Sequence, residues 1–253
     1  MSTESNCDNL DAPRVYPPAG AKHTHTIILL HDRDIYLDPS ESYKGELDDL
    51  FMEATGIAKI FPTVKFVFPV AERLRQRAVH DYILYSHGYG YGPYKPYTLH
   101  NDGIDDSFRV LKDLIDKEAN DIKDAGIAAS DNEYDRIILG GLSQGCATSI
   151  FALLGNFNTV ETVQELQEQE HRDEEVPLRI KGLNYVRDIL KLDPLQANSE
   201  VSDEKVSNLV TPVFLGHGRD GERVSIELGR QMASLLSTGF GMDVTWKEYE
   251  KGH

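Results

Sequence analysis

The chain has 253 residues, 40% of them hydrophobic, and carries 26 Lys plus Arg against 42 Asp plus Glu. That length builds one large α/β domain more readily than two small ones, and a formal charge of -16 with no Lys/Arg-rich block argues against nucleic acid or an anionic membrane surface as partner. Cys7, in a polar tail, and Cys146 are the two cysteines, so there is no disulfide framework, and a reducing, cytoplasmic setting is expected.

Residues 1–20 are polar, include three prolines, and read as a disordered lead-in with neither a signal peptide nor a transmembrane helix. Residues 21–253 are expected to form a single domain. It opens on THTIILLHD, an aliphatic run of the kind buried on both faces of a sheet. VKFVFPV at 64–70 has the same character. Residues 82–97, YILYSHGYGYGPYKPY, hold six tyrosines broken by Gly and Pro, and read as a loop that could line a pocket. In SFRVLKDLIDKEANDI, Phe108, Leu111, Ile115 and Ala119 recur at helical spacing, which predicts an amphipathic helix.

EYDRIILGG predicts a third strand and ATSIFALLG a helix packed close to a sheet. The acidic stretch 161–175, ETVQELQEQEHRDEE, reads as an exposed helix or disordered segment inside an insert over about 158–208. TPVFLGHG predicts a fourth strand, IELGRQMASLLSTG a helix ending at glycine, and MDVTWKEYE a last strand, with His253 three residues beyond it. Strands alternating with amphipathic helices predict an α/β fold, a mostly parallel sheet with helices on both faces, in which ligands bind at the carboxyl ends of strands.

GGLSQGC at 140–146 lies at such an end. Its GLSQG core fits G-x-S-x-G, the sharp strand-to-helix turn that lifts a serine hydroxyl above the sheet edge. A serine at neutral pH needs a histidine base and a carboxylate to orient it. Asp220 and Glu222 are the downstream carboxylates near a strand end, with Asp220 preferred; His171, His217 and His253 are the downstream histidines, and His253 is the better base because it follows the last strand. His217 is expected to close its strand end through ring hydrogen bonds, and Cys146 to be a small buried helix residue. A metal-hydrolase alternative would use His23, His25, His31 and Asp32, the first two sharing one face of a strand.

Taken together, TIILLH, FP followed by VFPVAER, GLSQGCATSIFALL, TPVFLGHG and VTWKEYEKGH resemble the acyl-protein thioesterase, or phospholipase/carboxylesterase, family of α/β-hydrolases from about residue 24 to 253. The resemblance implies cofactor-free hydrolysis of esters or thioesters, with an S-acylated protein or a lysophospholipid among the substrates. Carried over by position, Ser143 is the nucleophile and His253 the base, the backbone N–H groups of Arg33 and Gln144 form the oxyanion hole, and Asp220 serves as the acid through a one-residue loop shift. Where the family has HGxG this chain has HDRD at 31–34, and Asp220 lies one residue before the family's acid position. The fold is expected to lack one late strand, between Leu154 and Thr211, and the final helix. An inactive homologue that binds rather than cleaves is the alternative reading.

Overall fold

The computed structural model describes residues 13–20, 22–31, 56–69, 104–126, 132–155, 178–195, 207–220 and 224–250. Two compact units gather within the chain, Met1–Ala152 and Leu153–His253.

The first unit is built on four strands: β1 (Arg14–Tyr16), β2 (His25–Leu30), β3 (Val64–Phe68) and β4 (Ile137–Gly141), in the order β1-β3-β2-β4. β2 runs parallel to both β3 and β4, and β1 closes the edge antiparallel to β3. β1 lies within the stretch read as a lead-in, whose residues 1–12 are outside the described residues: a three-residue strand at the edge needs little apolar pattern, and RVY has little.

Because side chains alternate across a strand, Thr26 and Ile28 face one side of the sheet and Ile27 and Leu29 the other. Against the first side packs α1 (Ile104–Asp124), burying Phe108, Leu111, Ile115 and Ala119 as the periodicity predicts, and Ile122 with them. Its Glu118, 1% exposed, accepts a hydrogen bond from Thr26 Oγ1 at 3.1 Å and pairs with Lys65 Nζ at 2.7 Å. On the other side Val64, Phe66 and Phe68 form a cluster with Tyr16, Ile27, Leu29 and Ala58, the last from a short helical segment over 56–60.

β4 begins at Ile137 rather than at Glu133. A 3-10 turn occupies Glu133–Arg136, where the Asn132 side chain accepts from the Tyr134 N–H at 3.3 Å. α2 (Gln144–Gly155) leaves the strand two residues after it ends, three residues before the predicted start at Ala147.

In the second unit, α3 (Leu178–Ile189) occupies part of the stretch read as an acidic insert, and buries Ile180, Leu183, Val186 and Ile189. β5 (Val213–Gly218) and β6 (Val244–Tyr249) pair in parallel, Leu215 opposite Trp246 and His217 opposite Glu248. α4 (Ile226–Ser234), capped by Ser225 accepting from the Glu227 N–H, lies close on this pair. A Cβ at Gly229 would stand 2.7 Å from the Trp246 ring and 3.0 Å from His217, so only glycine permits that approach. Among the described residues no helix is long and apolar enough to cross a membrane.

Candidate active site

β2 and β4 end side by side, Leu30 opposite Gly141, and the Leu142 N–H donates to the Leu30 carbonyl at 3.0 Å. The chain then reverses within one residue. Ser143 has φ 55°, in the left-handed region, and Gln144 already belongs to α2. A non-glycine residue there costs on the order of 1–2 kcal/mol, a cost borne only where the surroundings dictate it.

Those surroundings are two glycines. A Cβ on Gly145 would meet Leu30, its Cβ at 2.7 Å, and one on Gly141 would meet Gly145 and the Cys146 nitrogen at 2.6 Å. The first turn of α2 therefore rests directly on the ends of β2 and β4. Gly145 N–H donates to Leu142 O at 2.9 Å and Ala147 N–H to Ser143 O at 3.2 Å, which closes the turn. Gln144, as the first helical residue, has an N–H with no acceptor inside the helix, in the place where helices bind negative charge. Its side-chain Nε2 is buried and has no hydrogen-bond partner among the described residues. Cys146, three residues past the serine, is a helix residue as expected but only half-buried, and desolvation raises the pKa of its thiol.

At its other end α2 is held by side chains that sequence reasoning did not single out. Arg187 of α3 donates from Nη1 to the Gly155 carbonyl at 2.6 Å, and Asn208 donates to Leu153 O at 3.1 Å. They satisfy carbonyls that a helix terminus leaves open, and Arg187 adds positive charge where the dipole is negative.

In the second unit, Asp220 stands exposed two residues past the end of β5. Because β5 and β6 are parallel, their carboxyl ends lie together, and the Arg219 N–H extends the ladder by donating to Tyr249 O at 2.8 Å. The chain beyond β6 thus leaves from the edge at which Asp220 sits. His217 closes its strand through a 2.7 Å contact between Nδ1 and the Gly218 carbonyl, as the sequence suggests. Glu248, which no motif marks, accepts from Arg219 Nε at 3.0 Å, Arg230 Nε at 2.9 Å and Trp246 Nε1 at 3.1 Å. These donors, Arg230 foremost, bring its pKa down to about 2.

Of the residues assigned to the triad and the oxyanion hole, Ser143, Gln144 and Asp220 are described. Arg33 with Asp32 and Asp34, His253, Glu222, His171, the tyrosine-rich loop and the acidic stretch lie outside the described residues. Of the proposed metal ligands, His23 Nε2 contacts Thr26 Oγ1 at 2.8 Å and His25 Nδ1 contacts Thr24 Oγ1 at 3.0 Å. Among the described residues no three His, Cys, Asp or Glu side chains gather as a metal site.

The chain is 25% identical over 249 residues to the acyl-protein thioesterase 1 of Yarrowia lipolytica, covering 94% of this chain and 88% of that protein. The resemblance to an acyl-protein thioesterase thus runs over nearly the whole chain. A second relative, the acyl-protein thioesterase 1 of Gibberella zeae, is 30% identical over 148 residues, covering 58% of this chain and 49% of that one. No protein-family model matches the chain. Among solved structures, Zea mays acyl-protein thioesterase 2 aligns at a TM-score of 0.46 with 16% identity, covering 96% of this chain and 91% of that one. Esterase PE8 aligns at 0.48 with 19% identity, covering 96% and 90%. Within the chain itself, β2 parallel to both β3 and β4, β5 parallel to β6, the helices that follow strands and the glycine-flanked serine between β4 and α2 are α/β features.

Proposed function

We propose that the chain is a serine hydrolase that cleaves carboxylic esters or thioesters through an acyl-enzyme. The observation that carries the reading is the backbone of Ser143, held at φ 55° between a parallel strand and the helix that follows it. That strain has a use if the hydroxyl must stand clear of the sheet edge. Ser143 Oγ attacks the acyl carbon as His253 takes its proton, and Asp220 orients the imidazole and stabilises it once charged. The N–H groups of Gln144 and Arg33 receive the oxyanion; removal of one such donor costs about 3–4 kcal/mol in related chemistry. His253 then returns the proton to the leaving alcohol or thiol, and water, activated by the same base, releases the acid and restores Ser143.

The similarity to acyl-protein thioesterases supports acylated proteins as substrates; lysophospholipids as a second class and a cytoplasmic setting rest on the reading of the sequence alone. A fluorophosphonate probe should label the folded wild-type protein and spare Ser143→Ala. A folded wild-type chain that takes up no probe overturns the reading in favour of a binding homologue.

A further inference from the structure

The second unit carries a cleft in which apolar side chains stand beside two cations. It holds about 350 Å³ and is lined by Leu178, Arg179, Lys181 and Gly182 at the start of α3, and by Leu235, Gly239 and Phe240 where α4 ends. None of the seven belongs to the proposed triad or oxyanion hole. The volume is at the small end of ligand sites, which run from about 300 to 1,000 Å³.

The backbone brings the two sides close. A Cβ on Gly182 would stand 3.2 Å from the Phe240 ring, and one on Gly239 would stand 3.1 Å from Leu235 Cδ1. α4 runs on from Ser234 as a single π turn, Leu235–Gly239, which the Phe240 N–H closes by donating to Leu235 O at 3.0 Å. Such turns are rare, and they occur frequently at functional sites.

The composition of the lining is not what folding asks for. Leu178 is 84% exposed and Leu235 48%, although burying a leucine side chain contributes about 1.5–3 kcal/mol. Arg179 and Lys181 stand in the first turn of α3, which has no Asp or Glu, yet the start of a helix is already positive and disfavours cations. A chain of charge -16 repels anions over most of its surface, so a local pair of cations is what an anionic ligand would need.

We propose that this cleft binds an anionic amphiphile with one alkyl chain of medium length, the tail lying on Leu178, Leu235 and Phe240 and the headgroup at Arg179 and Lys181. The inference does not depend on the proposed hydrolysis.

The experiment follows the methyl NMR signals of Leu178 and Leu235 in the full chain, assigned by their loss in Leu178→Ala and Leu235→Ala. The chain is titrated with decanoate, decyl phosphate, decanol and acetate, each alkyl ligand below its micellar concentration. Expected are saturable shifts of both signals with decanoate or decyl phosphate, none with acetate, and binding of decanol weaker by about fivefold or more. Arg179→Gln combined with Lys181→Gln should weaken the anion by the same factor and leave decanol unchanged. Leu178→Asp, at a position exposed enough to leave the fold intact, should weaken anion and alcohol alike and guards against a double variant that does not fold. Signals that stay in place, decanol binding as tightly as the anions, or anion binding unaltered in the folded variants would each overturn the proposal. Tighter decanoate names a free carboxylate as the ligand and tighter decyl phosphate a lipid headgroup, and either result supports the site.

Discussion

Ser143 is a residue whose conformation and usefulness pull in different directions. Its left-handed backbone suits glycine, and an L side chain there is strained. Ser143→Gly should therefore be more stable than Ser143→Ala by roughly 1 kcal/mol, although both lose the nucleophile. Thermal denaturation of the two variants side by side checks this, and an alanine variant as stable as the glycine one would show the strain to be absent. The neighbouring glycine has the opposite sensitivity: the Cβ of Gly145→Ala would press into Leu30, costing about 1–3 kcal/mol and displacing the Gln144 N–H. Probe labelling of that variant should fall well below wild type even at temperatures where circular dichroism shows it folded. The local geometry was legible in five letters, GLSQG, because the two glycines are forced by sterics. Glu248 was not legible, since a glutamate at an alternate strand position looks like any solvated charge until Arg219 and Arg230 are brought to it.

α1 is fastened to the sheet by charge as well as by its apolar stripe. Thr26 Oγ1 gives its one proton to Glu118, so toward His23 it can only accept, and His23 must carry its proton on Nε2. A second proton on that ring would place a cation beside Lys65. Burial first and Lys65 second accordingly lower the His23 pKa below 6.5. A depressed histidine favours the neutral form in the folded state, so its contribution is complete above pH 6.5 and is lost as pH falls through the folded value. The drop in melting temperature between about pH 7.5 and about pH 5.5 should thus be larger in wild type than in His23→Gln. Equal drops would remove His23 from the account.

Glu118→Ala has a larger cost, about 3 kcal/mol, because it strips the buried end of the Lys65 pair and leaves Thr26 without its acceptor; urea denaturation measures it. The apolar face of α1 could be read from its 3.6-residue period, and the two central strands from their aliphatic runs. β1 escaped because its pairing with β3 is backbone work that three residues of any kind can do. α3 escaped because KGLNYVRDIL follows a long acidic stretch, which sets the composition of the whole window. Its buried Arg187, bonded to Gly155 O, also interrupts the apolar stripe by which helices are found.

Over the whole molecule the charge of -16 sets the terms on which a substrate approaches. A field of that sign attracts cationic partners and repels anionic ones, and salt screens it over about 8–10 Å near physiological ionic strength. Under the proposed activity, kcat/KM for a basic S-acylated peptide should fall as salt rises from about 20 mM to about 200 mM, while for an acidic peptide bearing the same acyl group it should climb. Both effects belong to encounter, so they should appear in kcat/KM and leave kcat nearly unchanged. The Ser143 chemistry is blind to peptide charge, and a preference that persists undiminished at high salt would have to come from contacts at the site. Two flat salt profiles would mean that the acidic surface lies away from the path of approach. The charge would then bear on solubility and not on substrate choice.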